Sequence, residues 1–353
     1  MKKILCVLLS AVLVGSTAVV LTGCGEKKEE INVFNWGEYI SNGEDGALDT
    51  IAEFEERYNV KVNYTNYESN EEMYNLLKES NSSYDVIIPS DYMISKLIEE
   101  DMLEKLNFDN IPNFKNIMED YKTTDFDPNG EYSVPYSWGV VALAYNKTMV
   151  TEKPKSFDVL WNEKYSGNIL MFNNSRDAMA IAMKLKGITP TTVTTKDIDV
   201  ASAYLKEQKP LLKKYVMDQV FTEMETDQAA LAPYYAGDVA IMMSNNENLD
   251  YVLPEEGSNL FIDSMCIPKS TQNKELAEKF INYMLEAEVA KANAEYIGYS
   301  TPNQAAYDIL DEETKNNELV YPPKESLDKC YTFSNLPQDV YDYMQNEFLK
   351  VQS

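Results

Sequence analysis

Apolar residues along this chain follow two spacings that alternate from about residue 31 onward. Short runs rich in Val, Ile, Phe and Tyr, at 31–34, 60–67 and 84–88, are typical of strands. Between them, segments 47–58 and 71–78 carry apolar residues three and four positions apart, the spacing of one helix face. The last of the three runs is almost continuously apolar, as in a parallel strand covered on both faces. The alternation therefore predicts an α/β fold.

The same alternation continues through the rest of the chain. The predicted later strands are 138–145, 169–172, 239–243 and 260–267, and the predicted later helices are 95–106, 175–187, 274–285, 289–297 and 340–350. Ser175 is the predicted N-cap of its helix. A strand also leads directly into a helix near Ser90, and open α/β sheets bind ligands at such edges.

The first residues predict export and attachment to a membrane. Lys2 and Lys3 precede an apolar run from 4 to 21, which ends in Leu-Thr-Gly followed by Cys24. This pattern is typical of a removable signal, and a cysteine at that position resembles a lipobox. The alternative is a retained membrane-spanning helix, which usually needs about 20 apolar residues. We expect a signal peptide at 1–23, a lipid on Cys24, a charged tether at 24–30, and a body on the outer face of the cell membrane.

Composition narrows the range of functions. The chain has 58 acidic and 31 basic residues, for a formal net charge of −27, which disfavours nucleic acid as a partner. The acidity suits a cationic ligand, although it is also typical of a surface that is merely soluble. Histidine is absent, which removes the commonest general base and zinc ligand, and Cys266 and Cys330 are too few for a disulfide scaffold or a metal site. The composition does not exclude an enzyme whose acid and base are both carboxylates.

Aromatic residues lie beside carboxylates or hydroxyls at several predicted strand ends and loops. These segments are 35–39, 90–92, 261–263 and 298–303, with Asp177 at the start of a helix. Taken singly, each is more often a packing feature. Together they predict a site with aromatic walls and acidic ends. Such a site suits an elongated alkyl ammonium ion, because ring faces attract cations and carboxylates give charge-assisted hydrogen bonds.

Long ordered motifs in this chain resemble those of the spermidine/putrescine-binding proteins of ABC importers. They are Asn35-Trp36-Gly37-Glu38-Tyr39, residues 67–74, Tyr84-Asp85-Val86-Ile87-Ile88-Pro89-Ser90, residues 132–139, Asp263-Ser264 and residues 297–303. The resemblance runs from about residue 31 to the C-terminal helix. It implies a type II periplasmic-binding-protein fold, in which two α/β lobes clamp a ligand in the cleft between them.

The resemblance also implies the domain organisation and the partners. Lobe 1 would comprise 31–139 and 263–307, and lobe 2 would comprise 140–262 and 308–353. The protein would bind a polyamine as a monomer, without a cofactor, a metal or catalysis. It would then deliver the polyamine to a membrane permease and its ATPase. Closure would depend on contacts that the ligand makes only in the closed form.

The resemblance assigns roles to individual residues. Trp36, Tyr39 and Tyr92 would line an aromatic box, Gly37 and Ser90 would add backbone or hydroxyl contacts, and Tyr299 would close one side. Asp263 would hold one amine and Asp177 would help to bind the other end. Tyr331 matches a C-terminal ligand contact.

Three positions depart from the family pattern. Asn174 stands where spermidine binders carry Asp, and Phe261 stands in place of Trp, as in putrescine-preferring relatives. Segment 243–248 lacks the family's Trp, so Asn245 is assigned to that wall position, and Glu247 is a candidate for the missing charge.

Two other functions remain open from the sequence. Asp177 and Asp263 could act as the acid and base of a glycoside hydrolase, which needs two carboxylates at a set separation. The protein could also bind another solute, such as an amino acid or a metal complex, because a fold does not determine its ligand.

Overall fold

A computed structural model describes residues 28–79 and 83–353 of the chain. The predicted signal peptide and Cys24 lie outside these residues. The strands are β1 (Glu30–Trp36), β2 (Lys61–Tyr67), β3 (Val86–Ile87), β4 (Ser133–Asn146), β5 (Ile169–Phe172), β6 (Leu212–Val216), β7 (Leu231–Tyr235), β8 (Leu249–Val252) and β9 (Leu260–Cys266). The helices are α1 (Thr50–Tyr58), α2 (Asn70–Lys78), α3 (Asp91–Glu99), α4 (Glu119–Lys122), α5 (Ser175–Leu185), α6 (Thr195–Gln208), α7 (Gln219–Glu225), α8 (Ala236–Asn245), α9 (Lys274–Met284), α10 (Ala287–Ile297), α11 (Gln304–Ile309), α12 (Glu312–Lys315), α13 (Lys324–Leu327) and α14 (Gln338–Gln352).

Parallel pairs of strands lie on both sides of two central antiparallel strands. The order is β2-β1-β3-β9-β4-β7-β5-β6, with β8 also paired to β4. Strand β4 is 14 residues long and buried throughout. Its first part pairs with β9 and its second part pairs with β7 and β8. Strands β4 and β9 therefore run from one lobe into the other. The prediction of a two-lobed α/β fold is confirmed.

The apolar core is divided in the same way. One cluster contains Leu143, Phe172 and Leu231 together with Leu319 and Phe348 from the C-terminal part of the chain. Two further clusters surround β1, β3 and β9. One of these two clusters also contains Ala180, Tyr331 and Phe333, so packing continues between the lobes and the lobe boundaries stay a prediction. Within the described residues, no helix is both long and apolar enough to span a bilayer.

One predicted strand is wrong, because residues 239–243 lie inside helix α8. A short apolar run does not distinguish a buried strand from a buried helix. The deciding signal is the spacing of Ala236, Val239 and Met242, which are buried on one helix face.

Three element boundaries also differ from the prediction. Asn174, not Ser175, caps α5, and α3 covers Asp91–Glu99 instead of 95–106. The tether prediction extends too far, since Glu30 already pairs with Lys61 in the sheet.

Candidate functional site: an acidic and aromatic cleft

Asp263 forms the first acidic end of the cleft. Its backbone lies between Ser137 of β4 and Ser90 at the start of α3, so pairing on both sides fixes its position. The side chain is 4% exposed, and the Tyr39 hydroxyl donates to Oδ2 at 2.8 Å. In the part of the chain that the structure describes, Oδ1 has no hydrogen-bond partner. We call Asp263, Tyr39 and Ser90 the Asp263 end.

The loop after β1 brings the predicted aromatic residues to this end. The buried Asn35 amide donates to the Tyr39 carbonyl at 3.1 Å, which closes the loop around the exposed Gly37. The Trp36 indole Nε1 donates to the Ile88 carbonyl at 2.9 Å. The structure therefore brings the ends of β1 and β3 together, as the sequence predicts for neighbouring parallel strands.

Four rings form a row across the cleft. Ring centroids are 5.6 Å apart for Tyr39 and Tyr299, 5.9 Å for Tyr299 and Phe261, and 5.6 Å for Phe261 and Tyr235. Each contact is edge-to-face, which is favourable for aromatic pairs. We call Tyr39, Tyr299, Phe261 and Tyr235 the aromatic row.

Asp177 lies at the other end of the aromatic row. It is in the first turn of α5, where the Asn174 side-chain oxygen accepts from the backbone of Arg176 at 2.8 Å and of Asp177 at 3.4 Å. The Tyr235 hydroxyl donates to Asp177 Oδ2 at 3.0 Å. Asp177 Oδ1, like its counterpart on Asp263, is buried without a partner among residues 28–79 and 83–353. Asn174 thus acts as a helix cap at this end of the cleft.

A further carboxylate, the half-buried Asp238, follows Tyr235 by three residues. It is in the first turn of α8, which follows β7, and β7 runs parallel to the strand preceding α5. Burial raises the pKa of Asp238, and a hydrogen bond with the Tyr299 hydroxyl opposes part of that rise. Gly237 lets Tyr299 approach, because a Cβ there would lie 2.4 Å from the ring. We call Asp177, Tyr235 and Asp238 the Asp177 end.

Asn245 and Glu247 lie away from this cluster. Both are exposed at the far end of α8, and Asn245 donates to Glu225 at 2.8 Å. Tyr235, which the sequence did not single out, is in the aromatic row instead. Sequence reasoning missed Tyr235 because it placed a strand at 239–243, whereas the strand ends at Tyr235 itself.

The remaining predicted residues, Tyr92 and Tyr331, are buried, and each packs against the ring of Phe333. Tyr92 donates to Glu71 at 3.1 Å, and Tyr331 pairs through its backbone with Leu260 at 2.8 Å. Burial raises the pKa of Tyr331, and so does the charge of Asp177. Tyr331 is therefore close enough to interact electrostatically with the Asp177 end.

Burial makes the cleft a poor environment for negative charge when no cation is bound. Desolvation raises the pKa of Asp263 and of Asp177 to about 6, of Asp238 to about 7 and of Asp91 to about 8. The charges of Asp263 and Asp177 contribute to the shift of Asp91, which places Asp91 within electrostatic range of both ends. A bound cation would reverse these shifts, because an opposite charge favours the ionised carboxylate.

Comparisons with known proteins show the family of this chain. A family model of bacterial extracellular solute-binding proteins matches residues 49–322. The spermidine/putrescine-binding periplasmic protein of Escherichia coli is 34% identical over 83% of each chain. The putrescine-binding periplasmic protein SpuD of Pseudomonas aeruginosa is 27% identical over 100% of this chain and 99% of the relative.

Solved structures agree as well. The spermidine/putrescine substrate-binding protein PotD of Streptococcus pneumoniae is 34% identical with a TM-score of 0.80, over 92% of this chain and 98% of that one. The Tp0655 (TpPotD) lipoprotein of Treponema pallidum is 25% identical with a TM-score of 0.81, over 92% and 99%. The protein described here belongs to the bacterial extracellular solute-binding protein family.

Proposed function

We propose that this protein is the extracytoplasmic binding component of an ABC importer for a protonated polyamine such as putrescine or spermidine. The observation that carries the proposal is the pair of buried carboxylates, Asp263 and Asp177, at the two ends of the aromatic row. Each has one oxygen satisfied by a tyrosine and one without a partner in the described structure. An ammonium group at each end would satisfy both oxygens, and the methylene chain would cover the rings.

The charges in the cleft favour a cation over other small solutes. Three carboxylates, Asp91, Asp177 and Asp263, are buried and Asp238 is half-buried, whereas Arg176 is the one buried guanidinium. An amino acid would bring its own carboxylate into this group and would be repelled. Asp263 and Asp177 are proposed only to bind the ligand, and no bond in the ligand is made or broken. The names of the relatives, which specify spermidine and putrescine, support this ligand class.

The proposal includes attachment through a lipid on Cys24. The relative from Treponema pallidum is described as a lipoprotein, which supports this part. A lipid and a short charged tether would keep the receptor within reach of its permease. Deleting the gene should abolish uptake of labelled polyamine, and a Cys24→Ala copy should release the protein into the medium.

Binding is tested by calorimetric titration of the purified protein with putrescine, spermidine, spermine and 4-aminobutyrate. We expect at least one polyamine to bind at micromolar concentration or tighter, and 4-aminobutyrate to bind much more weakly. The proposal fails if no polyamine binds at that concentration, and a protein that binds only 4-aminobutyrate would belong to the amino-acid class instead.

A further inference from the structure

Arg176 is a permanent cation inside a cleft that is otherwise built for cations. The chain has two arginines, and Arg176, at 4% exposure, is the buried one. Its guanidinium carbon lies 4.9 Å from the ring centroid of Tyr92 and 4.5 Å from that of Phe333. One of its nitrogens donates to the Ser334 carbonyl at 2.9 Å. The guanidinium is therefore held between two rings.

Arg176 and Phe333 belong structurally to lobe 2. Helix α5 packs its Ala178, Met179 and Met183 side chains into the core of that lobe. The segment that carries Phe333 is bonded to the loop after α5, since the Thr191 hydroxyl donates to the Thr332 carbonyl at 3.0 Å and the Ser334 hydroxyl donates to the Thr191 carbonyl. These contacts fix both groups to the same lobe.

Tyr92 belongs to the opposite lobe. It lies on α3, and its ring packs with Phe34 and Ile87 of the first lobe in a cluster that Phe333 joins from the other side. The Asn70 amide donates to its hydroxyl at 3.1 Å, and the hydroxyl donates to Glu71. The contact between Arg176 and Tyr92 therefore crosses the cleft without needing a ligand. We call Arg176, Phe333 and Tyr92 the latch.

Polar contacts at the cleft rim accompany the latch. The Asn335 amide donates to Glu99 at 2.8 Å, and the Lys96 ammonium donates to Gln338 at 3.2 Å. Helix α3 of the first lobe thus meets the segment 333–338 of the second. These rim contacts are partly exposed and contribute little, whereas the guanidinium is desolvated, which strengthens its attraction to the rings.

We propose that Arg176 is a positioning residue that holds the two lobes together in the closed form. The affinity measurements below rest on the proposed function, because they use a polyamine as the ligand. Closure of the two lobes can be measured without a ligand. Apparent affinity is the intrinsic affinity multiplied by the fraction of molecules in the binding-competent state, so loss of the latch weakens the binding of every ligand by the same factor.

The direction of the effect separates this role from simple electrostatics. If Arg176 acted only through its charge, removing it would strengthen the binding of a cation, because a like charge would be gone. If Arg176 acts as a latch, removing it weakens binding despite the lost repulsion. Arg176→Lys keeps the positive charge but loses the planar group that stacks on both rings. It therefore separates the effect of stacking from the effect of charge.

The experiment compares Arg176→Met, Arg176→Lys and Phe333→Leu with a matched control, Arg57→Lys. Arg57 also lies over a tyrosine ring, at 5.1 Å from Tyr283, but it is 38% exposed and contacts Glu286 within the first lobe. Small-angle X-ray scattering gives the radius of gyration with and without saturating putrescine. Calorimetry gives the affinities for putrescine and spermidine, and circular dichroism checks folding.

We expect Arg176→Met and Arg176→Lys to increase the ligand-free radius of gyration and to weaken putrescine and spermidine about equally, by about tenfold. Phe333→Leu should act in the same direction, and Arg57→Lys should change neither readout. An unchanged radius of gyration in folded Arg176 variants, or tighter polyamine binding by Arg176→Met, would overturn the proposal. If no polyamine binds the wild type, the proposed function fails while the ligand-free radius still decides on the latch.

Discussion

The two ends of the cleft hold buried carboxylates in different ways. At the Asp263 end, one carboxylate is fixed by backbone pairing on both sides, with Ser137 and with Ser90. At the Asp177 end, two carboxylates lie in the first turns of α5 and α8, where the helix dipole favours negative charge. One acid, Asp263, is therefore hydrogen-bonded to the aromatic row from the first lobe, with Asp91 within electrostatic range, whereas Asp177 and Asp238 are bonded to the row from the other lobe. The difference predicts unequal sensitivity to substitution.

The largest expected effect is at Asp263. Asp263→Asn should weaken putrescine binding by about 2–5 kcal/mol, because it removes one partner of a buried charge pair. Because burial disfavours a negative charge on Asp263, the same change should leave the melting temperature of the ligand-free protein unchanged or raise it. Calorimetry and thermal melting measure the two quantities. Unchanged affinity would remove Asp263 from the site.

At the Asp177 end the loss should be smaller for each acid. Asp177→Asn and Asp238→Asn should each weaken putrescine binding by about 1–2 kcal/mol, near the lower range for hydrogen bonds to charged groups. The double variant should lose more than the sum, because the remaining acid no longer compensates. A simple additive result in the same calorimetric series would show that the two acids act independently.

Changing pH tests both ends at once. Each of these carboxyls has a folded-state pKa above its unfolded value of about 4, so the ligand-free folded state holds extra protons between pH 4 and 8. Stability of the ligand-free protein should therefore fall as pH rises from 5 to 8. Over the same range, putrescine stays protonated and its affinity should rise by about tenfold for each acid of pKa about 6 that ionises on binding, or about a hundredfold for Asp263 and Asp177 together.

Protons should also be released on binding. Titrations at pH 6.5 in two buffers of different ionisation enthalpy give the number released. A value of zero, or an affinity that falls with pH, would contradict the assignment of these acids to the ligand.

The smallest effects should come from the tyrosines that hold the acids. Tyr39→Phe and Tyr235→Phe each remove one hydrogen bond to a carboxylate, at Asp263 and Asp177 respectively. Each should change putrescine affinity by about 1 kcal/mol or less, because the ring face remains. A loss in Tyr39→Phe that is no larger than in Tyr235→Phe would weaken the contrast between the ends.

The same contrast explains what the sequence could and could not predict. The Asp263 end follows from contiguous motifs at strand ends, and its residues meet because the strands are neighbours. The Asp177 end was only partly predicted. Pro233 argues against a strand at 231–235, and the apolar run after it imitates one. Placing the strand at 239–243 concealed Tyr235 and Asp238, whereas Asn245 was assigned from the family pattern of segment 243–248.

Arg176 and Asp91 were missed for a different reason. Sequence shows neither the burial of a charged residue nor the ring that it contacts across a cleft. In sequence, Arg176 and Asp177 look like ordinary charged residues in the first turn of a helix. Only the folded structure brings Arg176 to Tyr92. Contacts between lobes that are far apart in sequence are therefore the part that requires a structure.

The central claim is that the cleft binds an alkyl chain with an ammonium group at each end. The most direct test is to titrate the wild-type protein with putrescine and with 1-aminobutane, which has the same carbon chain but one ammonium. We predict that putrescine binds at least about 30-fold more tightly, as expected for one additional charge-assisted hydrogen bond of about 2 kcal/mol or more. Equal affinity of the two amines would contradict the claim.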